Sequence, residues 1–208
     1  MLDRPSLDAE LRALADEGAA VDVDAFVFRS IALRHFMPPR KPSPLYCSGS
    51  IGSRFAPDGH AFRCLYAALD AETAHREGNQ AFYAVRSLGV RPADLKPPDE
   101  VVMIGVRFSL RRVLDLGDPS VRDRLGTSAA ELAGRWKLVP DAPTQRLGAA
   151  VHDSRAFDGL AYPSVQNPGA VCLVVFPDTL AKESFIDFRS RTPGVPNVRM
   201  RMGPPTAG

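Results

Sequence analysis

The chain has 208 residues, 45% of them apolar and 24% charged, the proportions of a globular protein and not of a disordered, collagen-like or membrane-embedded one. Its length supports one domain with a substantial core, or at most two small ones. Basic residues exceed acidic ones by 26 to 24, a net of +2, too small for the whole surface to act as a polyanion binder. The longest apolar run, Ala170 to Phe176, has seven residues, whereas a membrane span needs roughly 20. The N-terminus reads as neither a secretory signal nor a transit peptide. Cys47, Cys64 and Cys172 lie far apart with no Cys-x-x-Cys, so reduced thiols and a cytoplasmic setting are expected. A disulfide scaffold and a Cys-rich zinc module are thereby excluded.

In chain order, Leu7, Leu11 and Leu14 mark one face of a short N-terminal helix. Residues 1–24 carry seven acids against two arginines, a net of −5, and read as an acidic helical extension, either solvated or a docking surface. Ala25 to Arg29 predicts a strand, followed by a loop through Pro38, Pro39, Pro42 and Pro44. Phe62 to Ala68 predicts a second strand. Asp70 is placed to cap the next helix, with Glu72 in its first turn. That helix carries Ala71, Ala74, Gly78, Ala81, Val85 and Leu88 on one face, and a glycine there implies close approach to a neighbouring element. Val101 to Phe108, apolar on both faces, predicts a central strand.

Asp118-Pro119 begins another helix that Gly126 can end, and Ser128-Ala-Ala-Glu131 is a capping box for the next. A further helix runs from Thr144 to near Asp153. Asp158-Gly159 turns the chain into a strand at 160–162, and Gly169 leads into the strand ending at Phe176. The last twenty residues hold Arg189, Arg191, Arg199 and Arg201 with four prolines, three glycines and no acid, and are expected to be extended or partly disordered. The divisions are therefore 1–24, a folded domain at 25–188, and a tail at 189–208. The fold class is mixed α/β (α+β), in one domain.

Several chemistries are excluded by their missing motifs. There is no Gly-x-x-x-x-Gly-Lys-Ser/Thr, no Gly-x-Ser-x-Gly elbow, and Gly49-Ser-Ile-Gly-Ser53 is too short for a dinucleotide fingerprint. His35, His60, His75 and His152 lack paired ligand spacing, so no metal is expected. What remains are arginines, aromatics, an acid and a serine at element ends: Phe28-Arg29, Gly52-Ser53-Arg54-Phe55, Leu65-Tyr66, Glu77 and Pro163-Ser164. Of the two acids in the helix after Tyr66, Glu72 has an ordinary helix-dipole reason to be there. Glu77 stands at the edge of the apolar face, with Thr73 and Ala81 rather than cations at i±4, and is the functional candidate.

Over about residues 26–180 these motifs resemble the RES-domain family, named for an arginine, a glutamate and a serine. Arg29, the Gly-x-Arg-aromatic step at Arg54, Leu65-Tyr66 and Glu77 eleven positions on all match. So do Val113-Leu-Asp-Leu116, Pro143-Thr-Gln145, Phe157-Asp-Gly159 and Pro163-Ser164. Phe55-Ala56 departs from the Trp-Asn that the family favours. The resemblance implies a central mixed sheet flanked by helices, like that of the ADP-ribosyltransferases. It also implies a toxin of a bacterial toxin–antitoxin pair that acts on NAD+ and depletes it by hydrolysis or phosphorolysis. Glu77, Arg29 and Ser164 would be catalytic, and Arg29, Arg54, Tyr66 and Ser164 would bind NAD+.

Those residue types suit that chemistry. A planar guanidinium grips a pyrophosphate bidentately, and a fixed carboxylate stabilises the positive charge that develops on the ribose as the nicotinamide bond breaks. An aromatic face can hold the nicotinamide, and a hydroxyl can fix the carboxylate or the ribose. Two alternatives stay open: ADP-ribosylation of a protein, and a non-enzymatic nucleic-acid or partner-binding module using the arginine-rich tail. The bland alternatives are that Arg29 and Arg54 pair with surface acids, that Tyr66 is core, and that Ser164 shapes a turn; Arg34 stands in reserve for Arg54. The resemblance further implies a cognate antitoxin, an Xre-like DNA-binding protein that occludes the site, while this chain itself contacts neither membrane nor DNA.

Overall fold

In the computed structural model, residues 3–33, 45, 47, 52–79, 100–134, 136–191 and 197–200 are described. The loop prolines at 38–44 and helix positions 81, 85 and 88 lie outside them. The chain opens with α1 (Arg4–Asp16), capped by Asp3, whose carboxylate accepts from Ser6 N. β1 (Val21–Ala32), β2 (Leu65–Ala68) and α2 (Ala71–Gly78) follow. Next come β3 (Val101–Asp115), α3 (Pro119–Arg124), α4 (Ala129–Ala133) and α5 (Pro143–Ser154). The described chain closes with β4 (Gly159–Pro163), β5 (Val171–Val175), β6 (Phe185–Phe188) and β7 (Val198–Met200). None of the described helices is long and apolar enough to cross a membrane.

The strands form one mixed sheet in the order β1-β2-β5-β4-β3-β6-β7. β1 also pairs with β3 from Val21↔Val113 to Ala32↔Val101, so the sheet curls until its first strand meets its fifth. β3 and β4 run parallel, a pairing that requires a long crossover, and α3, α4 and α5 supply it. Alternation along β5 divides the core between the two faces. Cys172 and Val174 join a cluster with α1, α5 and Phe55; Leu173 and Val175 join another with Val27, Ile31, Val106 and Ile186.

Most predicted elements are present, with shifted bounds. β1 begins four residues before Ala25 and continues three beyond Arg29, because β3 pairs with it along its length. β2 keeps only the last four residues of the expected 62–68. Val101–Phe108 is central in pairing but not buried on both faces, since Met103 and Arg107 are exposed. Gly78 is the close approach its place on the helix face implied: a Cβ there would stand 2.8 Å from that of Ser30 on β1. Gly126 ends α3 with φ +58°, and Ser128 Oγ accepts from Glu131 N to start α4.

The acidic first segment is not merely solvated. Leu7, Leu11 and Leu14 are buried against the core. Glu10 and Glu17 both pair with Arg124, Asp22 with Arg111, and Asp24 with Arg107. At the other end, Val198–Met200 is extended as expected, paired with β6, and Arg199 and Arg189 both bridge to Asp187.

Candidate active site

Tyr66 lies on the short strand β2 and Glu77 on the helix that immediately follows. Asp70 begins that helix: its carboxylate accepts from Thr73 N (2.8 Å) and from the Thr73 hydroxyl (2.6 Å), holding the Asp70 pKa below the ordinary aspartate range. The two acids of α2 then part company. Glu72 is exposed and bridges to Arg76 one turn on, at 2.5 Å. Glu77, half-buried, turns toward the chain leaving β4. Its Oε1 accepts from Ser164 Oγ (2.6 Å), Val165 N (3.0 Å) and Gln166 N (3.2 Å). Three donors on one oxygen fix the carboxylate in place.

Ser164 therefore does more than shape a turn. Its hydroxyl donates to Glu77 and accepts from Asn167 N at 3.0 Å. Behind this pair lie Tyr162 and Cys172, which the sequence reading did not single out. Burial, followed by the nearby Glu77 carboxylate, pushes the Cys172 thiol up to about 12. Burial likewise raises the Tyr162 phenol, with Cys172, Tyr66 and Glu77 adding to it and Arg54 opposing. Both side chains remain neutral around the charged groups.

Arg54 occupies a tight loop closed by the Ser53–Ala56 bridge. The loop is held by β2 and α5. Tyr66 Oη bonds Ser53 Oγ (2.7 Å) and accepts from Phe55 N (3.0 Å). The Gln145 amide of α5 donates to Ser53 O and Ala56 O, at 3.1 and 3.2 Å. Gly148 of the same helix lets Phe55 approach so closely that a Cβ there would stand 2.0 Å from the Phe55 carbonyl oxygen. Phe55 and Ala56, the departures from Trp-Asn, are fully buried, and Phe55 packs on Tyr162 with ring centroids 4.8 Å apart. The buried Arg54 side chain donates through Nη1 to Leu132 O at 2.5 Å, so a backbone carbonyl and not a surface acid fixes that nitrogen.

Arg29 departs from expectation. It does not end its strand at the sheet rim but lies within β1, on the face of Val27 and Ile31, and is 8% exposed. Its Nη1 donates to the Tyr66 carbonyl at 2.5 Å. α2 packs on the other face of β1, over Ser30. Glu77 and Ser164 are thus in direct contact, Tyr66 of β2 holds the loop that carries Arg54, and Arg29 joins through the Tyr66 backbone.

The remaining motifs serve the scaffold. The fully buried Asp158 carboxylate accepts from Arg111 N, Arg112 N, Ala181 N, Ser184 Oγ and Arg112 Nη2, tying β3 to the start of β4. Gly159 passes so near β5 that a Cβ would meet Val174 O at 2.1 Å. Among the described residues, no three His, Cys, Asp or Glu side chains are grouped to hold a metal ion.

The RES-domain model matches residues 26–192, and the chain belongs to that family. Among solved structures, the fold is similar to that of a chain in a crystal structure of the M. tuberculosis MbcT–MbcA toxin–antitoxin complex. The match has a TM-score of 0.58 and 21% identity, and covers 82% of this chain and 83% of that one. No curated protein matches.

Proposed function

We propose that this protein is the toxin of a toxin–antitoxin pair and that it binds NAD+ and cleaves its nicotinamide–ribose bond, by hydrolysis or phosphorolysis. The observation that carries the reading is the Glu77 carboxylate, held by Ser164 and two backbone amides inside a RES domain. A carboxylate already fixed by three donors needs no reorganisation when positive charge appears on the ribose, so it favours the transition state over the ground state. The Ser164 proton is directed at Glu77, which suits a positioning hydroxyl rather than a nucleophile. Water or phosphate then attacks the ribose carbon as nicotinamide leaves. Arg54, anchored by a backbone carbonyl, is the residue to grip the pyrophosphate, and Arg29, on the other face of β1 from α2, supports Tyr66 through its carbonyl. Tyr66 holds the Arg54 loop in shape through its hydroxyl.

The test uses NAD+ labelled in its adenylate half. Label recovered in free ADP-ribose, or in ADP-ribose phosphate when phosphate is supplied, supports depletion. Label on protein instead marks an ADP-ribosyltransferase, and no turnover combined with salt-sensitive DNA retention marks a binding module.

An enzyme that drains NAD+ harms its own cell, so its restraint is part of the proposal. A cognate, Xre-like DNA-binding antitoxin covers the site with an acidic or carboxylate-terminated segment that competes with the anionic substrate for the arginines. Co-expression should raise yield, and stripping the partner should release NAD+-degrading activity. A stoichiometric complex as active as the isolated chain would refute the occlusion.

A further inference from the structure

Glu77 and Ser164 are the near end of a longer hydrogen-bonded circuit. Ser164 Oγ accepts from Asn167 N, and Asn167 Nδ2 donates to Thr73 Oγ1 at 2.7 Å. The Thr73 hydroxyl in turn donates to Asp70 Oδ2, the carboxylate that caps α2. Thr73 and Glu77 are four residues apart on one helix, so they present adjacent positions on the same face. The segment 164–167 lies along that face, tied to Glu77 at one end and to Thr73 at the other. Arg76 Nη1 to Gln166 O, at 3.4 Å, lies between.

The donors and acceptors of this circuit are committed. The Thr73 hydroxyl uses its one proton on Asp70 and so can only accept from Asn167. Thr73 is fully buried, so losing that acceptor would leave the Asn167 amide to find another partner where water is scarce. Asn167 therefore ties the turn to the buried Thr73 of the helix independently of Glu77, alongside the longer contact from Arg76 to Gln166 O. Without it, the turn that presents Val165 N and Gln166 N to the carboxylate loses its bond to the buried Thr73 hydroxyl.

We infer that Thr73 and Asn167 are positioning residues for the Glu77 carboxylate, locking the 164–167 turn onto α2 so that Ser164 and two amides converge on one oxygen. This rests on the NAD+-cleaving role proposed for Glu77, but the lock itself does not. Thr73→Val keeps shape and the backbone cap but removes the hydroxyl; Thr73→Ser keeps the hydroxyl; Asn167→Ala removes the donor.

In the full-length chain purified without a partner, Thr73→Val and Asn167→Ala should each lower kcat about tenfold or more, the scale of a small misplacement, with KM for NAD+ nearly unchanged. Thr73→Ser should restore kcat. The double variant should be no slower than the slower single one, because both changes break the same bond. An activity-independent arm is amide exchange by NMR. Exchange at Val165, Gln166 and Asn167 should speed up in Thr73→Val and Asn167→Ala. Ser164 N, bonded to Ala170 O at 2.9 Å, should stay protected. Unchanged exchange at 165–167 overturns the inference whatever the activity. Wild-type kcat in both single variants also overturns it, provided Glu77→Gln is inactive. A wild-type chain that never consumes NAD+ defeats the proposed function instead, and leaves the exchange arm to decide the lock.

Discussion

At the scale of single residues, the two glutamates of α2 provide the sharpest contrast. Glu77→Gln keeps the shape and the acceptor oxygen but removes the charge, so NAD+ turnover is expected to fall on the order of 10²–10³-fold, the size of one lost preorganised electrostatic contact. Glu72→Gln loses only an exposed i,i+4 pair with Arg76 and should turn over NAD+ at close to the wild-type rate. Assaying both under one condition separates them; an inactive Glu72 variant beside an active Glu77 variant would reverse the assignment. Arg54→Lys is expected to weaken NAD+ binding in calorimetry although charge is kept, because lysine has no second prong, and Arg29→Lys to weaken it less, because Arg29 reaches the site through the Tyr66 carbonyl. Arg54→Lys should also lower the melting temperature, since it gives up the buried bond to Leu132 O. Unchanged affinity in both would remove the arginines from the site. The sequence separates the two acids by position, because a helix dipole explains Glu72 whereas Glu77 stands at the edge of the apolar face. Spacing could not reveal that Arg29 faces away from α2, since that depends on how far β3 extends β1.

At the scale of elements, the site depends on how closely α2, the 52–56 loop and α5 approach one another. Pro143-Thr-Gln145 was legible as a motif, but its role was not, because Gln145 acts on the carbonyls of residues 89 and 92 positions away. Gly148 gave no local signal at all; its reason is the Phe55 carbonyl across the interface. Gly78, by contrast, was legible, since a glycine on an apolar helix face has few uses other than close packing. These contacts set opposite expectations for one substitution. Gly148→Ala gains up to about 1 kcal/mol of helix propensity, but the new methyl meets backbone at 2.0 Å, and overpacking costs about 1–3 kcal/mol. The net result should be destabilisation in a denaturant titration, together with weaker NAD+ binding as the Arg54 loop is pushed aside. A stabilised variant with wild-type affinity would show that α5 does not hold that loop.

At the scale of the whole molecule, the acidic first segment is part of the fold. The leucine period made α1 legible, whereas its destination was not, because its charge suggested a solvated surface and Arg124, the partner of Glu10 and Glu17, lies more than a hundred residues away. Two kinds of interaction hold α1, and their magnitudes differ. Leu11 is 0% exposed in the core shared with α5, and truncating a buried leucine to alanine costs about 2–5 kcal/mol, depending on how far the site collapses. Glu17 meets Arg124 at the surface, where desolvation is slight and salt screens the attraction. Leu11→Ala should therefore lower the denaturant midpoint strongly and by the same amount at low and high salt. Glu17→Gln should leave the midpoint near wild type, and any small loss should vanish as salt is raised. Equal destabilisation by the two changes, or a salt-dependent loss in the leucine variant, would mean that charge rather than apolar burial fastens α1 to the domain.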